Sequence, residues 1–274
     1  MAIVPKGIIN LKDTPINKLS VPFWQPTLLK GFCKDMPAIK KWKDIDYLKA
    51  RFNNTKVFVE TYKSKRDFEI SKAGMKQYKF NDYLDTMGKD SKYAGTYVPD
   101  CSLLELEDEI SGDIFKDLVN PNDMKVGLQD MDGQMGLADD YNLYIGKDTK
   151  TGTHIHIEDD FLLNCIIGKK IVYFLEFKDL NIKGMFNKYS NFSKENFFRL
   201  DWNKYHIYRV ELEPGDSVAI PPWWWHAVES DGYSLGVTKV FERDDQSEIY
   251  KTNPAFKPLY RRQMLALLNP FNWF

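Results

Sequence analysis

The sequence predicts a mainly β fold, a sandwich or barrel with flanking helices, and two observations carry this prediction. From Tyr141 onward, short apolar segments of strand length follow one another, and Pro, Gly and Asp turns separate them without intervening helices. Before that point, helix-like and strand-like segments alternate. With 274 residues, 43% of them hydrophobic, the chain can bury the core of one large domain.

In the first half, residues 1 to about 25 carry three prolines and are predicted to be irregular. Pro26–Gly31 is predicted as an edge strand, and Lys56–Tyr62 as a strand because apolar and polar residues alternate in it. Asp44–Phe52 is predicted as a helix, since apolar residues at helical spacing follow Asp44, a suitable N-cap. Further helices are predicted at 34–42, 80–87 and 103–118.

In the second half, the strand-like segments are bounded by turn residues. The chain then ends in Pro258–Phe274, which begins with a predicted helix at Leu259–Leu268. Its apolar residues are too dense for a free terminus, so we expect it to pack on the barrel or to pair two subunits in a homodimer. The predicted strands are Asn142–Gly146, Thr153–Glu158, Phe161–Ile167, Lys170–Phe177, Tyr205–Leu212, Ser217–Ile220 and Leu235–Phe241.

Composition argues against several classes of protein. The 38 basic and 39 acidic side chains nearly cancel, which gives no support to a nucleic-acid-binding surface or a polybasic membrane anchor. The three cysteines, Cys33, Cys101 and Cys165, form no CxxC pair, which argues against a disulfide framework and a structural zinc site. The sequence shows no signal-peptide pattern and no uncharged run of about 20 residues. We therefore expect a soluble, intracellular protein of the cytoplasm or nucleus.

Three of the four histidines lie in two short segments that look like strands. In an extended strand, side chains two residues apart point to the same face, so His154, His156 and Glu158 share one face. Non-haem iron(II) needs two imidazoles and one carboxylate on one side of the ion, with the other positions open. An HxE pair supplies two of these ligands, and the third must come from elsewhere in the fold.

His226 is the natural third ligand, because it follows a short apolar strand and a Pro-Pro corner with three tryptophans. Such a strand can return beside the first one in an antiparallel barrel. Taken singly, the HxE pair fits an exposed polar face and His226 fits a packed core histidine. Together they favour a metal site made of His156, Glu158 and His226. A ligand set that uses His154 with His156 is the alternative, and His206 is interpreted as structural.

Four short motifs surround these residues: Thr153-x-x-His156-x-Glu158, Gly168-Lys-Lys170-Ile-Val-Tyr-Phe174, Pro214-Gly-Asp216 and Ile220-Pro-Pro-Trp-Trp-Trp-His-Ala-Val-Glu229. In this order they resemble the JmjC and cupin-8 (cupin-like) oxygenases. The leader agrees through Pro26–Gly31, and the resemblance runs from about residue 20 to about 245. The chain most resembles the small hydroxylases typified by the asparaginyl hydroxylase of hypoxia-inducible factor.

The resemblance implies a double-stranded β-helix, the jelly-roll barrel of cupin and JmjC proteins, in a single domain spanning 1–274. A leader of helices and edge strands would occupy 20–135, the barrel core with the metal site 136–245, and a helical tail 246–274. The homodimer that the tail suggests would also agree with the resembling hydroxylases, which pair through C-terminal helices.

The resemblance also implies the cofactors and the residues that bind them. The three predicted metal ligands would hold iron(II), with 2-oxoglutarate as cosubstrate and O2 as oxidant. Lys170 would pair with the distal carboxylate of 2-oxoglutarate, Thr153 would donate a hydrogen bond to it, and Tyr93 would complete the pocket. A buried dicarboxylate needs such a cation and such hydroxyl donors. Taken alone, Lys170 fits a solvated lysine at a strand edge better than a cosubstrate ligand.

The activity that the resemblance implies is hydroxylation of a C–H bond, with release of succinate and CO2. Balanced charge and the absence of reader-domain or zinc-finger spacing favour a protein side chain as substrate. Glutamate at position 158, where the small hydroxylases mostly have aspartate, leaves a lysine demethylase as the alternative, followed by a tRNA or small-metabolite hydroxylase. A non-catalytic binding barrel and a cupin-like enzyme that uses another metal without 2-oxoglutarate also remain.

Overall fold

The computed structural model describes residues 7–19, 23–53, 55–61, 74–86, 96–103, 106, 108–123, 140–156, 159–177 and 197–242. The strands in these ranges are β1 (Gly7–Asn10), β2 (Thr27–Leu29), β3 (Lys56–Thr61), β4 (Gly74–Lys79), β5 (Thr96–Ser102), β6 (Asp140–Lys147), β7 (Asp159–Glu176), β8 (His206–Leu212), β9 (Ser217–Ile220) and β10 (Trp224–Glu242). The α-helices are α1 (Ala38–Lys41), α2 (Ile45–Phe52), α3 (Phe80–Thr86) and α4 (Asp113–Asp117). Among the described residues, no helix has the length and apolar character needed to cross a membrane.

Two long strands, β7 and β10, organise the barrel. They pair antiparallel from Trp224 opposite Glu176 to Glu242 opposite Asp159. The first half of β7 also pairs with β9, the second half pairs with β8, and β10 pairs with β6 on its other side. The hydrogen-bonded order is β1-β8-β7-β10-β6-β5-β3-β4, while β9 also pairs with β2. This mainly β jelly-roll confirms the predicted fold class.

The bend in β7 lies at Gly168, where the strand changes partners and φ is +70°. A Cβ atom built there would lie 2.0 Å from the carbonyl oxygen of Tyr233, so only glycine fits. The register between β7 and β10 is irregular near the same level. The strands predicted at Phe161–Ile167 and Lys170–Phe177 are therefore two halves of one bent strand, since β10 pairs with both.

The leader helices pack on one side of the barrel around a single apolar cluster that includes residues of β6 and β10. The Asp44 carboxylate accepts two backbone N–H groups from the first turn of α2, which confirms the predicted N-cap. The rings of Phe52 and Phe80 stack with their centroids 4.0 Å apart. Asp117 of α4 is buried and accepts hydrogen bonds from three side chains. They belong to Lys41 of α1, to Trp42 directly after α1, and to Tyr47 of α2.

Several predicted elements are confirmed, namely β2, β3, β6, β8, β9, α2 and α3. The helix predicted at 34–42 is α-helical only at Ala38–Lys41, and two further predictions are wrong. Of the helix predicted at 103–118, only Asp113–Asp117 is α-helical; turns precede it, and Gly112 interrupts the helical pattern. The strand predicted at Thr153–Glu158 is reduced, among the described residues 151–156, to a single bridge at His154. Strands β1, β4 and β5 were not predicted.

Three other predictions fall on residues outside the described part of the chain: Tyr93, Glu158 and the tail at 246–274. The helix at Leu259–Leu268, the homodimer and the domain boundaries therefore stay predictions.

Candidate metal centre

Three histidines converge between β10 and the segment that precedes β7. His154 and His226 lie directly opposite each other: the N–H of His154 donates to the carbonyl of His226 at 3.1 Å, and the N–H of His226 donates back at 2.9 Å. The carbonyl of His156, two residues further on, accepts the N–H of Trp223 at 2.9 Å. One potential ligand atom from each ring lies within 4.8 Å of the other two. Three backbone hydrogen bonds thus hold the segments that carry the imidazoles.

Two of the three rings are oriented by backbone carbonyls. Nδ1 of His154 lies 2.8 Å from the carbonyl oxygen of Gly152, and Nδ1 of His226 lies 3.0 Å from that of Trp224. Because a carbonyl oxygen can only accept, each Nδ1 donates its proton to it, and in the neutral ring Nε2 then keeps a lone pair. Metal-binding histidines are commonly held in this way. Both rings therefore present Nε2 as a ligand atom.

The third ring, that of His156, is held by stacking. It lies against Phe161 of β7 with ring centroids 3.5 Å apart and nearly parallel planes. Burial lowers the pKa of His156 well below its ordinary value, and the neighbouring His154 adds to this effect. Burial and the other two imidazoles lower the pKa of His226 in the same direction. Both rings are neutral near pH 7, which is the form that binds metals.

The imidazoles form one wall of a cavity that encloses about 390 Å³, counted with its open mouth. Its polar lining consists of Tyr144, Thr151, Lys170 and Thr238 besides the histidines, and no acidic side chain is among the described residues that line it. The apolar lining residues are Phe161, Leu163, Ile220 and Val228. The cavity combines metal-ligand atoms, one cation and apolar walls.

Lys170 is the cation of this cavity, and it is buried, with 2% of its surface exposed. Its Nζ donates to the hydroxyl of Ser234 at 3.2 Å, and no carboxylate among the described residues pairs with it. Burial lowers the pKa of Lys170 to about 8, although the nearby Cys165 raises it slightly. An ammonium has three donors, so this group is short of acceptors.

Two threonine hydroxyls reach the same cavity in different states. Thr238 of β10 is buried, and its hydroxyl has no hydrogen-bond partner among the described residues. The hydroxyl of Thr151 accepts the backbone N–H of Val228 at 2.8 Å, which leaves its own proton available to a further acceptor. Both hydroxyls can donate to an anion in the cavity.

Comparison with known proteins gives the family. The model of the cupin-like domain matches residues 18–247, which is most of the chain. The chain belongs to the cupin-like domain family. It is 26% identical over 223 residues to Jumonji C domain-containing protein 5 of Drosophila melanogaster (78% of this chain, 54% of that protein). It is 24% identical over 237 residues to JmjC domain-containing protein D of Dictyostelium discoideum (77% and 50%), and 26% identical over 235 residues to Lysine-specific demethylase JMJ30 of Arabidopsis thaliana (81% and 51%).

This cupin-like chain spans about half the length of these curated relatives. Their names support the predicted JmjC family in its general form. The finer resemblance to the asparaginyl hydroxylase type stays a prediction.

The cupin-like barrel brings together three of the six predicted site residues: His156, His226 and Lys170 all line the cavity. Thr153 is not brought to it. Its hydroxyl accepts the N–H of Phe197 at 2.7 Å, because neighbouring residues of an extended segment point to opposite sides and His154 takes the cavity side. The parts that Glu158 and Tyr93 take stay predictions.

Sequence reasoning missed Thr151, Tyr144 and Thr238. A signal for Thr151 was present, since it lies three residues before His154, the spacing that Thr153 has from His156. For Thr238 and Tyr144, the strand that contains each residue was predicted, but nothing in the alternation of apolar residues distinguishes a cavity-facing polar side chain from an outward one.

The residues of this cupin-like site fit a divalent transition metal with an organic anion beside it. Imidazole nitrogens are suitable ligands for iron, and three of them on one side leave other coordination positions open. The buried ammonium of Lys170 and the hydroxyl of Thr238, which no described residue engages, provide the matching donors for an anion.

Proposed function

We propose that this chain is an iron(II)- and 2-oxoglutarate-dependent oxygenase that hydroxylates a C–H bond, with a protein side chain as substrate. The observation that carries the proposal is a buried lysine that lines the same cavity as a cluster of three histidines and that pairs with no carboxylate of the described part of the chain. A plain metal site needs no such lysine, whereas a dicarboxylate that binds next to the metal does.

Under this proposal, each of the residues that line the cavity has a role that suits its position. His156 and His226 hold the metal together with a third ligand from the segment around them. Lys170 pairs with the distal carboxylate of 2-oxoglutarate, and Thr238 and Thr151 donate hydrogen bonds to it. Phe161, Leu163 and the other apolar lining residues keep water away from the reacting groups.

Iron(II) and 2-oxoglutarate, once bound, let O2 oxidise a substrate C–H bond to C–OH while 2-oxoglutarate is converted to succinate and CO2. The protein's contribution is to keep positions open on the metal and to place the target carbon. Balanced charge supports a protein substrate, because nucleic-acid binding normally draws on an excess of basic residues.

Lysine demethylation is the second candidate, and the similarity to a plant protein named as a lysine-specific demethylase favours it. The two reactions share the cosubstrate and differ in the fate of the hydroxylated carbon. On a methylated lysine, the hydroxymethyl group leaves as formaldehyde, whereas on another side chain the oxygen is retained.

The test has two steps. Anaerobic iron(II) titration with and without 2-oxoglutarate should give a metal-to-ligand charge-transfer band only when both are present. The loaded protein is then incubated in air with peptide libraries, some carrying methylated lysines, and analysed by mass spectrometry. A gain of one oxygen that requires 2-oxoglutarate supports hydroxylation, and loss of a methyl group with formaldehyde supports the second candidate. Absence of the band contradicts both.

A further inference from the structure

We infer that His154, and not Glu158, is the third protein ligand, so that this chain holds its metal with three imidazoles. The inference rests on the proposed function only in requiring that a metal binds. It departs from the predicted set of two histidines and one carboxylate. The pair of ligands in this segment becomes His154 and His156 in place of His156 and Glu158.

The backbone pairing is the first argument. His154 is the residue directly opposite His226, with two backbone hydrogen bonds between them, and their ring centroids are 4.1 Å apart. His156 follows two residues later, with its ring centroid 4.7 Å from that of His226. Glu158 follows four positions after His154 in the sequence, outside the described residues, which end at His156 in this segment. The ring nearest to the ligand His226 is therefore that of His154.

The orientation of the ring is the second argument. His154 and His226 carry the same supporting contact, a hydrogen bond from Nδ1 to the carbonyl oxygen two residues earlier in the chain. This contact fixes the tautomer and directs Nε2 away from the backbone. An imidazole that served only as a neighbour of the metal would not need the contact that the opposite ligand has.

The number of coordination positions is the third argument. An octahedral ion has six positions, of which a chelating keto acid takes two and O2 takes one, so three remain for the protein. The ligand atoms of His154, His156 and His226 already lie close enough together to take those three. A carboxylate from Glu158 would be a fourth protein ligand and would leave too few positions for the proposed reaction.

Thr151 supports the same shift independently. Thr151 lines the cavity, and Thr153 instead bonds the backbone of Phe197. Thr151 lies three residues before His154, which is the spacing that the predicted motif has between Thr153 and His156. The motif is thus kept, but it lies two positions earlier in the chain. The whole segment reads as Thr151-x-x-His154-x-His156.

A three-imidazole set has a consequence for charge. Neutral ligands leave the full double positive charge of the metal, whereas a carboxylate ligand would reduce it by one. Anions should therefore bind this centre more strongly than they bind a site with a carboxylate ligand, which suits a doubly charged keto acid.

The experiment compares metal binding in the full-length chain, without turnover. Wild type, His154→Ala, Glu158→Gln and His206→Ala are stripped with a chelator and titrated anaerobically with Co(II) and Fe(II), and bound metal is counted by elemental analysis. We expect His154→Ala to lose at least about 100-fold in affinity, more than an outer-shell change causes. Glu158→Gln and the control His206→Ala should stay within about threefold of wild type.

A purely structural role for His154 is separated by rescue. In His154→Gly, added imidazole should restore metal binding, because it can take the empty ligand position. Retention of metal by His154→Ala, or its loss from Glu158→Gln, overturns the inference. If the His154 variants fail to fold, Glu158→Gln alone still decides. Absence of metal from wild type contradicts the proposed function itself, and the two failures are thereby distinguished.

Discussion

The two ends of the cavity satisfy their polar groups in different ways. At the metal end, His154 and His226 each have a backbone carbonyl matched to Nδ1, and backbone hydrogen bonds hold their segments. At the other end, Lys170 has a single hydroxyl acceptor, and the Thr238 hydroxyl has no partner among the described residues. Burying unmatched polar groups costs free energy, so such groups persist where a ligand completes them. One end thus matches its polar groups within the protein, and the other presents hydrogen-bond donors that an anion could accept from.

The largest effect is expected at the metal end. His156→Ala and His226→Ala should each lower the affinity for iron(II) by more than about 100-fold and abolish 2-oxoglutarate turnover. Removal of one imidazole leaves a site that cannot hold the ion in a usable geometry. Elemental analysis after gel filtration and an assay for succinate measure the two effects. Full metal content in His226→Ala would show that the centre lies elsewhere, and His206→Ala serves as the matched control.

At the other end, Lys170→Met removes the charge and keeps most of the volume. The dissociation constant for 2-oxoglutarate, measured by calorimetry on metal-loaded protein, should rise by at least about 30-fold, the lower range for loss of a buried charge partner. Without cosubstrate, the free energy of unfolding should instead increase, because a buried unpaired charge is removed. Metal binding should not change.

The neighbouring lysine provides the control for that variant. Lys169 is partly exposed and pairs with Glu211 at 2.5 Å on the outer side. Lys169→Met should change the free energy of unfolding by less than about 1 kcal/mol and leave the 2-oxoglutarate affinity unchanged. If both variants weakened 2-oxoglutarate binding equally, the contrast between the two ends of the cavity would disappear.

A pH profile tests the same lysine without changing it. Burial lowers the pKa of Lys170 to about 8, so the ammonium form that binds an anion prevails below that pH. Affinity for 2-oxoglutarate should be constant below pH 8 and then fall by about tenfold per pH unit above it. The free energy of unfolding without cosubstrate depends on pH in the opposite direction. Between pH 8 and the ordinary pKa of lysine, the unfolded chain binds the proton more tightly than the folded chain, so the free energy of unfolding rises with pH. Lys170→Met should remove both dependences.

The smallest effect is expected from Thr238→Val, which replaces a hydroxyl by a methyl group of similar size. Loss of one hydrogen bond, about 1 kcal/mol, should weaken 2-oxoglutarate binding by about fivefold without loss of stability. Thr153→Val should do the reverse, because its hydroxyl serves the N–H of Phe197. A comparison of calorimetric affinities and urea unfolding curves for the two variants checks this. If Thr153→Val and Thr238→Val weakened 2-oxoglutarate binding equally, Thr153 would have to contact the cosubstrate as well.

Much of the barrel could be predicted from sequence because its strands carry apolar side chains bounded by turns. The strands β8 and β9 were predicted nearly to the residue. Strand β4 could not be predicted, since its residues are almost all exposed and carry no alternating pattern. Strand β10 begins 11 residues before the predicted Leu235, because β7 pairs with it as far as Trp224 and isolated bridges from Lys150 and His154 add to this pairing.

The residue types of the site could be predicted from sequence, but the register of the segment that carries the first ligands could not. His156 and His226 come together as the sequence reasoning about the histidines indicated, and Lys170 lines the same cavity, as the resemblance to the JmjC oxygenases implied. The segment from Thr151 to Glu158 repeats its polar residues every two positions, so a shift of two preserves the face and the pattern. The tertiary structure distinguishes the two registers, above all through the pairing of His154 with His226, which joins residues 72 positions apart in the chain.

The backbone hydrogen bonds around the imidazoles have a consequence for the choice of metal. The two bonds between His154 and His226, and the one from Trp223 to His156, join backbone atoms only, so the protein itself holds together the segments that carry the imidazoles. Such a centre gains little folding energy from its metal, and chelators should leave the protein folded. A rigid set of nitrogen ligands also follows the general affinity order of divalent ions, in which nickel and zinc exceed iron. Which ion occupies the site then depends on supply, and protein isolated from a zinc-rich source should carry a tightly held, inactive ion until it is exchanged.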